Sequence, residues 1–223
     1  SGARMMCNYF RFGGVVRDIP DYVMQKIKDL VLERLPAKTD EMERFLNENE
    51  ILVARLKGIH VLNAEDAIKY SVTGPVLRAA GVPYDLRRAD PYSIYDRFDF
   101  DVAVRQSGDM MDNYLIRFDE IRQSLRILEQ ALKQIPQGPI NSQKPQYQVR
   151  VPAGEAYGRI ESPKGELAFY VVSNGKPNPY RYHVRPASFV NLTAVESMCI
   201  GSKIADFVAL LAMLDIVMGE LDR

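Results

Sequence analysis

The sequence predicts a mainly α-helical protein with a small antiparallel β-meander, a fold of the α+β class. Residues 108–134 repeat apolar residues at helical spacing, and the last apolar stretch of the chain does the same. Between these stretches, β-branched and aromatic residues alternate with polar ones, and turn residues recur. We therefore expect one domain, in which residues 1–135 are mostly helical, residues 152–186 form the sheet, and residues 187–223 form C-terminal helices and a tail that lines a cavity.

The first part of the chain carries clear helix signals. Residues 19–35 place Pro20 in a first helical turn, the position that proline tolerates best. Their apolar residues share one face, at Val23, Ile27, Leu30 and Val31. Residues 39–56 continue as helix and direct three apolar side chains inward, those of Met42, Phe45 and Leu46.

Two short helices and a strand are expected next. The stretch "NAED", starting at Asn63, is typical of a capping box and predicts a helix that runs to Tyr70. A second helix begins at Pro75 and ends at Gly81. Residues 98–104 alternate apolar and polar side chains, which favours a strand.

The long helix predicted over residues 108–134 has a distinct apolar stripe. It comprises Met111, Tyr114, Leu115, Phe118, Ile121, Leu125, Leu128 and Leu132. Glu120 and its neighbours Arg117 and Arg122 fall on the wetter side of this helix.

A linker rich in proline, glycine and glutamine, "IPQGPINSQKPQ", separates this helix from the β-rich segment. Strands are predicted over residues 155–161, 167–173 and 180–184, joined by the turns "SPKG" and "NGKPNP". Two helices, over residues 188–198 and 202–214, complete the chain.

Composition excludes several classes of function. Lys+Arg and Asp+Glu are both 29, so the net charge is zero. A zero net charge argues against a nucleic-acid partner, and it favours a protein that is a subunit of a larger assembly. Cys7 and Cys199 lie far apart and outside any CxxC motif, so a disulfide framework is not expected. His60 and His183 are too few for a protein zinc site. The longest apolar run, residues 207–214, is too short to cross a bilayer, and no secretory signal is present.

Charged and aromatic residues alternate over residues 85–101. A docking surface or a proton-relay path would use such a pattern. A network of ion pairs that holds an irregular segment in place would use it as well, and we favour this structural interpretation.

The turn "ESPKGE" places Lys164 between Glu161 and Glu166. Pro163 and Gly165 are ordinary turn residues, so a hairpin needs no function to explain it. A loop projected into a cavity is the functional alternative, and spacing alone does not separate the two.

The chain ends "LDIVMGELDR", in which small and apolar side chains stand between carboxylates. A C-terminus packed into the core explains this pattern. An apolar cavity with a few polar groups, the usual composition of a ligand site, explains it too. From the residues alone we favour the packed C-terminus.

Six stretches, taken in order, resemble one family. They are "SGARMMCNYFRFGGVVRDIP", "SVTGPVLRAAGVPYDLRRADPYSIYDRFDFDV", "GDMMDNYLIRFDEIRQSLRIL", "ESPKGELAFYVVSNG", "RPASFVNL" and "LDIVMGELDR". They resemble the D-type subunit of NADH-quinone oxidoreductase, the core subunit of respiratory complex I that is related to the large subunit of nickel–iron hydrogenases. The likeness covers the whole chain and implies a hydrogenase-like fold that is truncated at its N-terminus.

The same resemblance implies that Ser1 continues a family motif and that an N-terminal portion precedes it in full-length relatives. In the family, the His and Tyr that bind the quinone headgroup belong to that portion. Neither His60 nor His183 lies in the corresponding motif, and no residue of this chain is assigned a catalytic role.

Cavity residues carry over from the resemblance one by one. The C-terminal cysteines that hold the metals in hydrogenases correspond to Val217 and Glu220 here, so the soft thiolate ligands are absent and no metal is expected. Lys164 stands where the hydrogenase loop has Arg. The implied quinone-cavity residues are Asp215, Val217, Gly219, Glu220 and Lys164, with Asp215 contributing to proton supply and Val217 contacting the ring.

The resemblance further implies the setting in which the chain works. Quinone is the substrate, and this chain holds no cofactor of its own because iron–sulfur clusters and FMN belong to partner subunits. The implied partners are the iron–sulfur small subunit (B-type), a C-type subunit and membrane-arm subunits, which pump protons. The implied location is the cytoplasmic face of the cell membrane, as a peripheral subunit, and the isolated chain is expected to be inactive.

Two alternatives remain at this stage. A membrane-bound, energy-converting hydrogenase large subunit shares the fold, but it requires a C-terminal CxxC where this chain has "VMGE". A non-catalytic scaffold protein would bind no quinone at all.

Overall fold

The computed structural model describes residues 9–11, 13–142 and 150–222. Residues 1–8, which include Cys7 and the start of the first family motif, lie outside the described residues, as do part of the predicted linker and Arg223. The described chain has the predicted α+β composition. Its α-helices are α1 (Asp21–Asp29), α2 (Leu35–Asn47), α3 (Glu50–Leu56), α4 (Ala64–Lys69), α5 (Pro75–Ala79), α6 (Leu86–Ala89), α7 (Met110–Gln134), α8 (Ala187–Asn191), α9 (Val195–Cys199), α10 (Ile204–Leu214) and α11 (Met218–Leu221).

The predicted meander is confirmed. Strands β3 (Gly154–Ser162), β4 (Gly165–Ser173) and β5 (Arg181–Arg185) form an antiparallel sheet in the order β3-β4-β5. A smaller hairpin, β1 (Phe10–Arg11) and β2 (Gly14–Val15), was not predicted, because two-residue strands carry too few residues to show an alternating pattern.

Helix α7 is the longest helix of the described residues and organises the packing. Asp109 caps it by accepting a hydrogen bond from the Asp112 N–H at 2.7 Å. Its N-terminal half packs against α5 and contributes Met110 and Ile116, both fully buried, to the interior. The main core also takes apolar residues from α3, α5, α9 and α10.

The prediction of a strand over residues 98–104 is wrong, because these residues form no strand in the structure. The apolar alternation is real, because Phe98 and Phe100 are buried beside Ile127 of α7. The backbone, however, is bonded by side chains of α7 rather than by a strand. The Asp99 N–H donates to the Gln130 side chain at 2.9 Å, and the Asp101 N–H donates to Gln123 at 3.0 Å.

Three predicted helices are interrupted. The helix predicted over residues 39–56 breaks at Glu48, and Asn49 caps α3 by accepting hydrogen bonds from two backbone N–H groups at 3.1 Å. A π-helical turn, Leu30–Arg34, joins α1 to α2 just before Pro36. Pro36 has no N–H to continue the α-helical pattern, which favours such a widened turn. The helix predicted over residues 188–198 contains a 3₁₀ turn, Leu192–Ala194, between α8 and α9.

No helix of the described residues is both long enough and apolar enough to span a lipid bilayer.

Candidate functional site

The hairpin turn between β3 and β4 lies against the start of α5. This two-residue turn contains Lys164 and is followed by Gly165, whose φ is 133°. A Cβ added at Gly165 would lie 2.5 Å from the Thr73 Oγ1, and one added at Gly74 would lie 2.5 Å from the Gly165 Cα. Neither position leaves room for a side chain, so the two backbones can approach each other closely and the turn packs directly against the start of α5.

A buried asparagine ties the same turn to α8. Asn191 is 1% exposed, and its Oδ1 accepts a hydrogen bond from the Thr73 N–H at 3.0 Å. Its Nδ2 donates to the carbonyl oxygens of Lys164, at 3.2 Å, and Thr73, at 3.3 Å. Asn191 thus bonds both the turn, through Lys164, and the residue before Gly74, through Thr73, and holds the two together.

Two of the predicted site residues meet directly. The Lys164 ammonium group contacts the carboxylate of Asp215. Asp215 ends α10 in the left-handed region, with φ 55° and ψ 51°, and its N–H donates to the Leu211 carbonyl at 3.2 Å. This conformation turns the chain sharply after α10 and places the carboxylate beside the hairpin turn.

Arg117 of α7 is a second cation at Asp215. Its Nη1 lies 3.2 Å from the Asp215 Oδ2, and its Nη2 donates to the Met213 carbonyl at 2.9 Å. Burial lowers the pKa of the Arg117 guanidinium, and the charges of Asp215 and Glu120 offset only part of this effect. Sequence patterning assigned Arg117 to the wetter side of its helix and missed this contact, because helical periodicity carries no information about a partner so distant along the chain.

The other predicted tail residues come after Asp215 in the chain, and two of them form hydrogen bonds with Ser188 of α8. The Val217 N–H donates to the Ser188 Oγ at 3.2 Å, and the Glu220 Oε2 accepts from the Ser188 N–H at 2.9 Å. Val217 is 39% exposed, and no atom lies within 4 Å of a Cβ built at Gly219. Val217 and Glu220 are thus fixed through one serine, whereas Gly219 adjoins open space.

A groove of about 430 Å³ opens beside this cluster. Ser162 and Pro163 of the hairpin form one part of its lining, and Arg117 forms another, whereas Lys164 and Asp215 are not among the lining residues. Its charged lining comprises Arg78, Arg87, Arg117, Glu120 and Glu161.

Arg78, 2% exposed, is the central cation of that lining. It donates to the Glu161 Oε1 at 2.8 Å and, through two nitrogens, to the Glu120 Oε1 at 2.8 and 2.6 Å. Burial by itself would lower the pKa of Arg78, but Glu120 and Glu161 outweigh it and raise that pKa. Burial raises the pKa of the Glu161 carboxyl, although Arg78 opposes the effect.

The charge-dense residues 85–101 form ion pairs, as the structural interpretation predicted. Asp85 pairs with Arg87 at 2.6 Å, and Asp90 pairs with Arg159 of β3 at 2.8 Å. Desolvation opposes ionisation of the buried Asp85, but its hydrogen bonds and pairing with Arg87 lower its pKa on balance. The segment is therefore held to the sheet by charge pairs while its backbone stays largely irregular.

The two histidines occupy different places. His60 is buried, and its Nδ1 lies 2.7 Å from the Met198 carbonyl oxygen, so this nitrogen donates. His183 lies on the exposed part of β5, in register with Tyr170. Within the described part of the chain, no group of three or more His, Cys, Asp or Glu side chains could hold a metal ion.

The arrangement has a clear chemical character. A half-exposed carboxylate is held by two cations, Lys164 and Arg117, and the partly exposed Val217 follows it by two residues. The two cations can stabilise negative charge on a ligand that binds beside them, and Val217 can contact an apolar part of it.

Comparison with known proteins identifies the family. Residues 1–150 and 146–223 match the profile of the family described as respiratory-chain NADH dehydrogenase, 49 Kd subunit. The chain is 55% identical over 230 residues to the D-type (number 1) NADH-quinone oxidoreductase subunit of Roseiflexus sp. (strain RS-1), and all of the chain and 61% of that relative are covered.

Two further relatives agree. The D-type (number 2) NADH-quinone oxidoreductase subunit of Herpetosiphon aurantiacus is 54% identical, with all of this chain and 61% of the relative covered. The D-type subunit of Dehalococcoides mccartyi (strain ATCC BAA-2266 / KCTC 15142 / 195) is 52% identical, with all of this chain and 60% of the relative covered. The chain thus spans about three fifths of the length of these curated relatives. It belongs to the family of the respiratory-chain NADH dehydrogenase 49 kDa subunit, whose bacterial members include these D-type subunits.

Proposed function

We propose that this chain works within a proton-pumping NADH-quinone oxidoreductase as the C-terminal part of its D-type subunit. In this role it forms the wall of the quinone-reduction cavity, next to the terminal iron–sulfur cluster of a partner subunit. The observation that carries the proposal is the meeting of Lys164, Arg117 and Asp215 where the hairpin turn contacts the tail. Family membership supports the same assignment.

The proposed wall consists of Asp215, Val217, Gly219, Glu220 and Lys164. Reduction of a quinone to a quinol takes up two electrons and two protons, and negative charge develops on the headgroup oxygens as electrons arrive. Lys164, supported by Arg117, stabilises that charge, while Asp215 takes part in supplying protons. Val217 contacts the ring.

The remaining parts of the machinery lie in other subunits. Electrons come from the B-type iron–sulfur partner, FMN and the other clusters belong to further subunits, and proton pumping belongs to the membrane arm. A C-type subunit is a further neighbour. The chain adopts the nickel–iron hydrogenase large-subunit fold as one domain, and it lies at the cytoplasmic face of the cell membrane without activity of its own.

The test uses a chimera in which this chain replaces the aligned part of the Roseiflexus D-type subunit within its assembled complex. Lys164→Met in the chimera is expected to lower the rate of quinone reduction about tenfold or more, because a charge-stabilising group is lost. Electron transfer from NADH to an artificial acceptor upstream of quinone should be unchanged.

The matched control is Lys176→Met, since Lys176 is an exposed lysine in the sheet's other turn. It should leave both rates unchanged, and Lys164→Arg should keep most of the quinone rate. Equal quinone rates for Lys164→Met and Lys176→Met would refute the proposed wall.

A further inference from the structure

The backbone of Lys164 is fixed, whereas its ammonium group is held by one partner. The Lys164 N–H donates to the Ser162 Oγ at 3.3 Å, and its carbonyl oxygen accepts from the Asn191 Nδ2 at 3.2 Å. Among the described residues, the ammonium group forms one ion pair, with Asp215. An ammonium group carries three N–H donors, so others stay available to a ligand. The charged end of Lys164 can therefore change partner while its backbone stays in place.

Arg117 is held in a different way. Its Nη2 donates to the Met213 carbonyl at 2.9 Å, and its Nη1 lies 3.2 Å from the Asp215 Oδ2. Both partners lie at the end of α10, so the planar guanidinium is joined to one segment of the chain at two points. Arg117 is thus the fixed cation of the cluster, and Lys164 is the one that can move.

The two cations contact the same atom. The Lys164 ammonium group and the Arg117 guanidinium both lie at the Asp215 Oδ2. One negative charge is therefore shared by two positive charges, which repel each other, so each cation weakens the attraction of the carboxylate for the other. When Lys164 leaves, Asp215 keeps Arg117 and is not left as an unpaired charge. Arg117 thus lowers the free energy that is needed to detach Lys164.

A ligand can reach this ion pair. The side chain of Asp215 is 42% exposed, and that of Lys164 is 18% exposed. An ion pair that water reaches is held less strongly than a buried one, so a charged ligand can compete with the carboxylate for the ammonium group. Since Arg117 already occupies Met213 and Asp215, Lys164 is the cation that such a ligand would engage.

We propose that Lys164 changes partner during the reaction, from Asp215 to a headgroup oxygen of the quinone as that oxygen gains negative charge, and that Arg117 is the positioning residue that permits this exchange by keeping Asp215 paired. The inference rests on the proposed function of this site. It adds that the two cations differ in role, because Lys164 contacts the ligand and Arg117 acts only through Asp215.

Two naphthoquinones of similar size test the exchange. One carries a ring hydroxyl group that is ionised at neutral pH, and the other carries a methoxy group in its place and is neutral. Both are titrated into the assembled complex that contains the chimera with the Roseiflexus D-type subunit, and the ratio of the anion's affinity to that of the neutral compound is measured. A loosened tail would weaken the binding of both compounds alike, so this ratio reports on the cations and not on the packing of the tail.

Arg117→Met should lower this affinity ratio about fivefold, because Asp215 then attracts Lys164 without a competitor. In the Lys164→Met background the same substitution should change the ratio less than about twofold, because no lysine remains to be released. Arg117→Lys keeps a cation beside Asp215 and should retain most of the ratio. Arg126→Met on the same helix is the matched control, since its ion pairs lie outside the tail, and it should leave the ratio unchanged.

Two outcomes overturn the inference. One is an unchanged ratio in Arg117→Met, and the other is an equal fall of the ratio with and without Lys164, which would show that Arg117 acts on the ligand directly. In either case a lower ratio in Lys164→Met would still support the proposed wall, so the two failures are distinguishable. Arg117→Gln, which keeps a hydrogen-bond donor for the Met213 carbonyl, replaces Arg117→Met if that variant does not assemble.

Discussion

At the scale of single residues, the cluster depends on charges that are only partly hydrated. Arg78 is almost fully buried and balances Glu120 and Glu161, whereas Arg117 shares its charge between Asp215 and a backbone carbonyl. A buried charge is costly to leave without its partner, so these contacts tolerate substitution poorly. The family resemblance pointed to Lys164 and Asp215 as site residues, and that assignment stays a prediction. The contact of Arg117 with Asp215 could not be predicted, because helical periodicity gives no information about contacts outside its own helix.

Arg78→Met should lower the free energy of unfolding by about 3–5 kcal/mol at neutral pH, since it leaves the carboxylates of Glu161 and Asp85 buried and without this partner. Urea denaturation measures this loss. Arg122→Met is the control, because Arg122 is 40% exposed, and removing its surface pairs should cost less than about 1 kcal/mol. Similar losses for both variants would contradict the burial argument.

The contribution of Glu161 to folding stability should depend on pH. Burial raises the pKa of its carboxyl in the native state above the ordinary value of 4.5. The native state therefore holds this proton more tightly than the unfolded chain does. Its contribution to stability is complete below the unfolded pKa and is lost as the pH rises through the native pKa.

We accordingly expect the stability of the wild type, relative to Glu161→Gln, to decrease as the pH rises from about 4 to about 7. Denaturation midpoints measured across that range provide the check. A difference that stays constant, or that grows in favour of the wild type, would show that Arg78 and not burial dominates the titration of Glu161.

At the scale of elements, the hairpin turn shows what the sequence encodes locally. Pro, Lys and Gly in succession predicted the turn, and alternation predicted its strands. The strand prediction over residues 98–104 failed because alternation shows which side chains are buried but not which groups form hydrogen bonds with the backbone. Side chains of α7 provide those bonds, and they lie more than 20 positions away. The helix break at Glu48 was missed for a different reason, since no proline or glycine marks it.

Gly165→Ala should destabilise the chain by about 3 kcal/mol, because the new Cβ would meet backbone at a φ of 133°. Gly158→Ala, on the same sheet with nothing within 4 Å of its Cβ, should change stability by less than about 0.5 kcal/mol. Thermal or urea unfolding of both variants provides the comparison. Equal stabilities would mean that the turn does not press on α5 as described.

At the scale of the whole molecule, long-range contacts bring the hairpin, α7 and the tail to one place. Lys164 and Asp215 are 51 positions apart and meet only because α8 and α5 fix the turn while α10 ends beside it. Sequence patterning predicted the elements and the family resemblance predicted the residues, but neither predicted this three-way packing. The organisation of the chain as one domain stays a prediction.

Arg117→Gln should release the tail, because Arg117 joins α7 to both Met213 and Asp215. Amides of residues 213–222 are expected to exchange about tenfold faster in this variant. Arg126→Gln on the same helix removes pairs with Asp99 and Asp101 and should leave the tail unaffected. An unchanged tail in Arg117→Gln would show that α8 alone positions it.

The most direct test of the central claim is covalent labelling by a quinone with a photoreactive headgroup. The chimeric complex with the Roseiflexus D-type subunit is illuminated with this quinone, and labelled peptides are located by mass spectrometry. We expect labels within residues 162–165 or 214–222, which an excess of unlabelled quinone prevents. Competed labels confined to other parts of the complex would contradict it.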